Sequence, residues 1–193
     1  MERKLRKLLA LVTAFSLSMS LLGVTAFADN IEAPYFKVVV EGDSNIKYYE
    51  ATEGESLYNA VEATGLANWT TVNDYYIAGK THEALVSFDG LGSQGIQNNA
   101  VDRAKLSAKG HNYDAITWLG SSHPGYGLIN TSTNAEGKTV YNYIYAGYDW
   151  TYTSSTTGQI WQYMCCYIVG ADEVITLSYN FNVSTWSTTD PIV

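Results

Sequence analysis

Alternation of apolar and polar positions is clearest near the C-terminus. Between 173 and 181, Ile175, Leu177, Tyr179 and Phe181 fall on one side, and Thr176, Ser178 and Asn180 on the other. That period of two predicts a strand with one buried face. The preceding stretch, 161–169, is apolar at nearly every position and reads as a central strand covered on both faces. Gly170, Ala171 and Asp172 would turn it into an antiparallel hairpin. Towards the N-terminus, 35–40 and 46–51 read as two strands around a turn rich in Gly, Asp and Asn. A short helix follows. Ser56 suits its N-cap, Leu57, Ala60, Val61 and Thr64 share one face, and Gly65 is a natural stop. Residues 66–135 are rich in Gly, Asn and Ser, with short strands predicted at 84–88 and 116–119 and a helix near 98–108.

The helix-starting signature recurs 83 residues later: 54–61 (Gly-Glu-Ser-Leu-Tyr-Asn-Ala-Val) matches 137–144 (Gly-Lys-Thr-Val-Tyr-Asn-Tyr-Ile). The match predicts a second capped helix, with Thr139 as its cap and Val140, Tyr143 and Ile144 on its apolar face. The fold class expected is α+β and β-rich. A single domain spans 29–193, with an internal duplication (about 35–110 and 111–193) as the alternative.

The first 28 residues read as an export signal. Arg3, Lys4, Arg6 and Lys7 precede an apolar stretch at 8–24, and Ala26-Phe27-Ala28 supplies the small residues of a cleavage site before Asp29. The apolar core is shorter than the roughly 20 residues a membrane span needs, so no span is expected after cleavage. Removing the leader leaves 165 residues with seven basic and eighteen acidic side chains, a formal charge of −11. Such a surface repels phosphate backbones and anionic lipid, which disfavours nucleic acid as a partner.

The two cysteines, Cys165 and Cys166, are adjacent and close no useful loop. They are expected as buried free thiols, with a vicinal disulfide beside a ligand as the alternative. One pair cannot make a structural zinc site alone, and no CxxC is present. His82, His111 and His123 are widely spaced, so only folding would gather them into a metal site. The run 90–95 (Gly-Leu-Gly-Ser-Gln-Gly) has the spelling of a dinucleotide-binding turn. That spelling carries meaning only inside a parallel βαβ unit, so a glycine-rich loop is expected. Glu53, Glu55, Asp172 and Glu173 sit where a helix start and a turn favour such side chains. No cofactor, metal or catalytic residue is called for.

Several of these segments resemble a known family, the transcobalamin-like C-terminal domain (domain of unknown function 4430) of secreted Gram-positive proteins. The resemblance rests on two strands and a Gly-x-Ser/Thr-Leu-x-x-Ala-Val helix, here 36–40, 46–51 and 54–63. It rests also on Trp150-Thr151-Tyr152 and on an Asp-x-Val/Ile-x-x-x-Tyr strand within 172–179. These pieces cover about half of the chain after the leader. Thr153-Ser154-Ser155 stands where the family has Val-Asn-Gly, and the middle region is longer. The resemblance implies a β-grasp-like domain that covers one side of a corrinoid.

Aromatic residues beside Gly-containing turns are the strongest binding candidates: Trp118, His123, Tyr126, Trp150 and Tyr152. Flat side chains next to Asn, Ser and Thr suit stacking on sugar rings or planar molecules. The function expected is a secreted, non-catalytic binding module at the cell surface. Its ligand would be a small molecule (corrinoid-like on the resemblance) or a glycan, with a separate surface protein as a further candidate partner. The alternatives are a structural or adhesive module and a secreted hydrolase built on His123.

Overall fold

The computed structural model describes residues 32–74 and 77–192; the export signal predicted at 1–28 lies outside them. The chain forms a curled, mixed, β-rich sheet with few short helices. Its spine is a pair of long antiparallel strands, β9 (Thr139–Ser154) and β11 (Val174–Thr188), in unbroken register from Ile175↔Ser154 to Thr188↔Tyr141. The predicted alternation holds: Ile175, Leu177, Tyr179 and Phe181 are all buried.

Strand β1 (Tyr35–Val40) lies parallel to β11, and β2 (Lys47–Glu50) pairs antiparallel with β1. Beyond β9 come β8 (Tyr126–Thr133) and β7 (Thr117–Trp118), and the short β10 (Gly158–Gln159) pairs with the end of β9. Helix α1 (Leu57–Glu62) begins as expected, with Ser56 Oγ accepting from the Asn59 backbone N–H at 3.2 Å. Helix α2 (Ala100–Ala108) is capped by Asn99, whose side chain accepts from the Asp102 backbone N–H. A separate three-stranded sheet holds β3 (Ala67–Asn73), β4 (Thr81–Phe88) and β5 (Leu91–Gly92).

Two expectations are corrected. Residues 161–169 are not a strand: they carry a 3₁₀ turn at Met164–Cys166, and Trp161 and Ile168 are exposed. Both sides of β11 are already taken, by β1 and β9, so no edge is left for this segment. It crosses the start of α1 instead, where Leu57 N–H donates to the Tyr167 carbonyl and Val169 N–H to that of Glu55. The second correction concerns 137–144, which forms a turn and the first residues of β9 rather than a helix. Tyr141, Tyr143 and Tyr145 alternate at strand period, and pairing with β8 and β11 on both sides overrides the local cap signal.

Two apolar clusters lie along the spine. The first gathers Phe36, Leu57, Val61, Phe88, Trp150 and Leu177. The second gathers Ile96, Leu106, Ile116, Ile144 and Phe181 under α2. Where the chain before β8 passes β9, a third segment approaches the backbone unusually closely. The short strand β6 (Gln94–Gly95) pairs with β9 at Gly147, and a Cβ on Gly95 would overlap the backbone of Pro124 and Gly125. The 90–95 run is therefore a packing device, with no parallel βαβ unit around it.

Glu173 is buried, and its carboxylate accepts from Gly170 N–H (2.7 Å), Thr156 Oγ1 (2.9 Å), Tyr167 OH (2.5 Å) and Ser154 Oγ. Burial pushes its pKa up, but the Gly170 N–H and the three hydroxyls outweigh that and hold it below the ordinary value. A depressed carboxylate pKa adds stability above its unfolded value, and that stability is lost as pH falls through the folded pKa. Glu173→Gln should therefore lower the melting temperature at neutral pH, by the equivalent of about 2 kcal/mol, and flatten the acid limb of a melting-temperature profile. Gly95→Ala should cost about 1–3 kcal/mol or more through overpacking, read by chemical denaturation.

Candidate functional site

The period of two along β9 and β11 sorts their side chains. Ile144, Ala146 and Phe181 face the second apolar cluster. Tyr143, Tyr145 and Asp149 from β9, with Ser184 and Trp186 from β11, therefore share the opposite face. Tyr126 joins them through its pairing with Tyr145. The rings interlock: Tyr126 to Tyr145 at 5.2 Å, Tyr126 to Trp186 at 5.8 Å, and Tyr143 stacked on Trp186 at 5.8 Å. Burial, with smaller effects from Asp149 and Tyr126, pushes the Tyr145 phenol up to about 12, so it stays a neutral donor.

This face carries a groove of about 620 Å³ lined by Tyr126, Tyr145, Trp186, Ser93, Asp149 and Ser184, among others. A second depression of about 380 Å³ shares Tyr126 and Pro124 with it and adds Trp118 and Tyr113. A third, of about 450 Å³, shares Ser93 and Asp149 and adds Trp161 and Tyr163. Trp161 is 89% exposed. Ser93 Oγ donates to Asp149 Oδ1 at 2.7 Å on the saddle between two of the depressions. Shared wall residues thus set three hollows side by side as an aromatic track that runs from this face past Tyr126 to Trp118, which packs against the second cluster.

The five residues singled out from the sequence divide between its ends. Trp118 and Tyr126 line one end; the His123 ring touches Tyr126 edge-on at 6.4 Å. Trp150 and Tyr152 border the other end, yet both belong to the first core. Trp150 is 6% exposed and donates its indole N–H to the Leu91 carbonyl, and burial raises the Tyr152 phenol pKa. His123 Nδ1 lies 3.2 Å from Ser122 Oγ, and among the described residues no carboxylate hydrogen-bonds its ring. Sequence reading missed Tyr145 and Trp186, although the Tyr141, Tyr143, Tyr145 alternation carried the signal.

A second group of reactive side chains was not visible in the sequence. Asp74 follows β3 and His82 lies in β4, joined by one hairpin. The 3₁₀ turn brings Cys165 and Cys166 against them, anchored by buried Met164. His82 Nε2 donates to Asp74 Oδ2 at 2.7 Å, and its ring stacks on Tyr163 at 4.3 Å. Nδ1 then faces both sulfurs, 3.3 Å from Cys165 Sγ and 3.4 Å from Cys166 Sγ; the sulfurs are 3.8 Å apart. The cysteines are free, as expected, but not buried: Cys165 is half-buried and Cys166 exposed. They also sit in a turn, so both sulfurs point the same way.

Asp74, and then Cys165, raise the His82 pKa. Burial pushes the Cys165 thiol up, but His82, the Glu83 backbone and Cys166 more than offset it and lower the pKa. Burial and the Cys165 thiol raise that of Cys166. No family model, curated protein or solved structure matches the chain. In a Cys166→Ser variant, alkylation of Cys165 should titrate below the pH of about 8.5 typical of a free thiol. Adding His82→Ala should move that midpoint upward, as followed by mass spectrometry of the trapped thiol.

Proposed function

We propose that this protein is an exported, non-catalytic binding module that holds an elongated, neutral glycan along the aromatic track. One observation carries the reading: three hollows with shared walls, each bordered by aromatic rings and by polar side chains or backbone. Aromatic faces receive the C–H side of sugar rings, and Ser93, Ser184 and Asp149 offer hydroxyl and carboxylate partners beside them. The largest hollow falls within the roughly 300–1,000 Å³ common for small-ligand sites. Its linkage to two more favours a chain of units over one compact molecule. A formal charge of −11 after the leader favours a neutral ligand over an anionic one. The leader at 1–28 supports export. Its β-grasp-like character is supported by the β1–β2 hairpin, the helix after it, and the parallel seat of β1 on β11.

A corrinoid is the second reading, favoured by the resemblance of 36–63 and 150–179 to the transcobalamin-like family. Titrating the protein with neutral oligosaccharides of increasing length, and in parallel with cobinamide, separates the two. Affinity should rise with oligosaccharide length. Tyr126→Ala and Trp186→Ala should each weaken binding about tenfold or more, or about 1.4 kcal/mol. Trp161→Ala should matter only for the longer chains. Trp150 is unsuitable for this test because it is a core residue. Saturable binding of cobinamide alone would replace the glycan with a corrinoid; binding of neither would sink the track as a ligand site.

A further inference from the structure

We infer that His82, Cys165 and Cys166 form a site for a thiophilic metal ion of tetrahedral preference, with Zn²⁺ as the reference ion. Among the described residues they are the one group of three such side chains whose ligand atoms all lie within 4.8 Å of one another. The spacing is the first argument. Zn–S bonds of about 2.3 Å and Zn–N bonds of about 2.0 Å at tetrahedral angles place two sulfurs about 3.8 Å apart and sulfur and nitrogen about 3.5 Å apart. The observed separations are 3.8 Å between sulfurs and 3.3 and 3.4 Å from Nδ1 to each sulfur. An ion enters with side-chain shifts of tenths of an ångström.

The second argument is the tautomer. A carboxylate accepts only, so the Nε2 proton of His82 points to Asp74 and the Nδ1 lone pair of the neutral ring points at the sulfurs. A carboxylate behind a histidine is the usual outer support of a metal ligand, and here the Tyr163 ring fixes the imidazole plane as well. His82 is 4% exposed and held from two sides, while Cys166 is exposed. The cluster therefore has a rigid inner ligand and an outer side open to solvent, which supplies a water as fourth ligand.

A cysteine nucleophile with His82 and Asp74 behind it is the competing use of the same atoms. It employs one thiol. Here Nδ1 is shared almost equally between two, and the second sulfur stands where a metal requires it. Charge and protons balance simply. The divalent ion enters, and two protons leave to solvent, one from the His82–Cys165 pair and one from the Cys166 thiol.

The test uses the whole exported protein, reduced and handled without oxygen. Addition of Co²⁺ should produce sulfur-to-cobalt charge transfer in the near ultraviolet and the intense visible bands of a four-coordinate ion, saturating at one per chain. One equivalent of Zn²⁺ should abolish both. Cys165→Ser and Cys166→Ser should each remove most of the charge transfer, and Asp74→Asn should weaken Zn²⁺ binding about 10–100-fold. Zn²⁺ should also protect both wild-type thiols from alkylation, a readout that needs no variant to fold. Absence of thiolate bands, an octahedral cobalt spectrum, or Zn²⁺ bound equally well by the Cys165→Ser, Cys166→Ser double variant overturns the site. So does a protein whose two cysteines are joined to each other and resist mild reduction. Rapid alkylation of Cys165 unaffected by Zn²⁺ would overturn it in favour of the nucleophile.

Discussion

Everything in this molecule hangs on the ladder between β9 and β11. Fourteen residue pairs run from Ile175↔Ser154 to Thr188↔Tyr141 without a bulge, a length of roughly 45 Å at the usual strand rise. The two helices, of six and nine residues and about 9 and 14 Å long, each cover only part of it, and the core divides into two clusters in series. One lies under α1 and β4, the other under α2. The same ladder fixes what lies on the opposite face. Once Ile144, Ala146 and Phe181 are buried, Tyr143, Tyr145 and Trp186 have no choice of side, because a slip of one residue would reverse every position at once. The aromatic face is thus a consequence of burying the other one.

The groove on that face depends on backbones that pass with no side chain between them. Gly95, Gly125 and Gly147 come from β6, the turn before β8, and β9. Gly125 has a φ of +84°, and a Cβ there would lie 2.7 Å from the Ala146 carbonyl oxygen and 2.8 Å from Gly95 Cα. A Cβ at any of the three would run into neighbouring backbone, at Gly147 into the Gln94 carbonyl oxygen at 2.3 Å. The dinucleotide-like spelling at 90–95 was therefore informative about packing and silent about phosphate. Gly92 and Gly95 sit in short strands, where their smallness serves close approach.

Signals carried by neighbouring residues were legible in the sequence. The pattern places β1 within its observed bounds and locates both helices, and the β11 alternation names its buried face. Signals that depend on who sits next door were not. The apolar run at 161–169 resembles a central strand by composition, but whether an edge beside β11 is vacant is a property of the whole topology. The segment 137–144 copies the local code of α1, and pairing on both flanks overrides it. The candidate binding residues show the same division. Tyr126 and Trp118 could be suspected from the turns around them. Trp150 and Tyr152 are held in the first core, and Trp118 packs against the second with its indole N–H on the Tyr113 carbonyl. The His82–Cys165 contact spans 83 residues and has no local signature.

The two sites rest on largely different supports and share one border. The aromatic track is built on β8, β9 and β11. The thiol and imidazole group is built on the β3–β4 hairpin and on the segment that crosses α1. That segment is pinned at one end by Met164 in the core and at the other by Glu173, whose carboxylate holds Ser154, Thr156, Tyr167 and Gly170 together. The two sites meet where Tyr163 stacks on His82, the Glu83 backbone bonds Cys165 and Met164 anchors the cysteine turn, because all three residues also border the last hollow of the track. Sites that share neighbours in this way should couple at the shared border and respond additively to substitution away from it. An ion that locks His82 would then stiffen one wall of the groove, so occupancy of the one site would be felt at the near end of the other and not at Trp118.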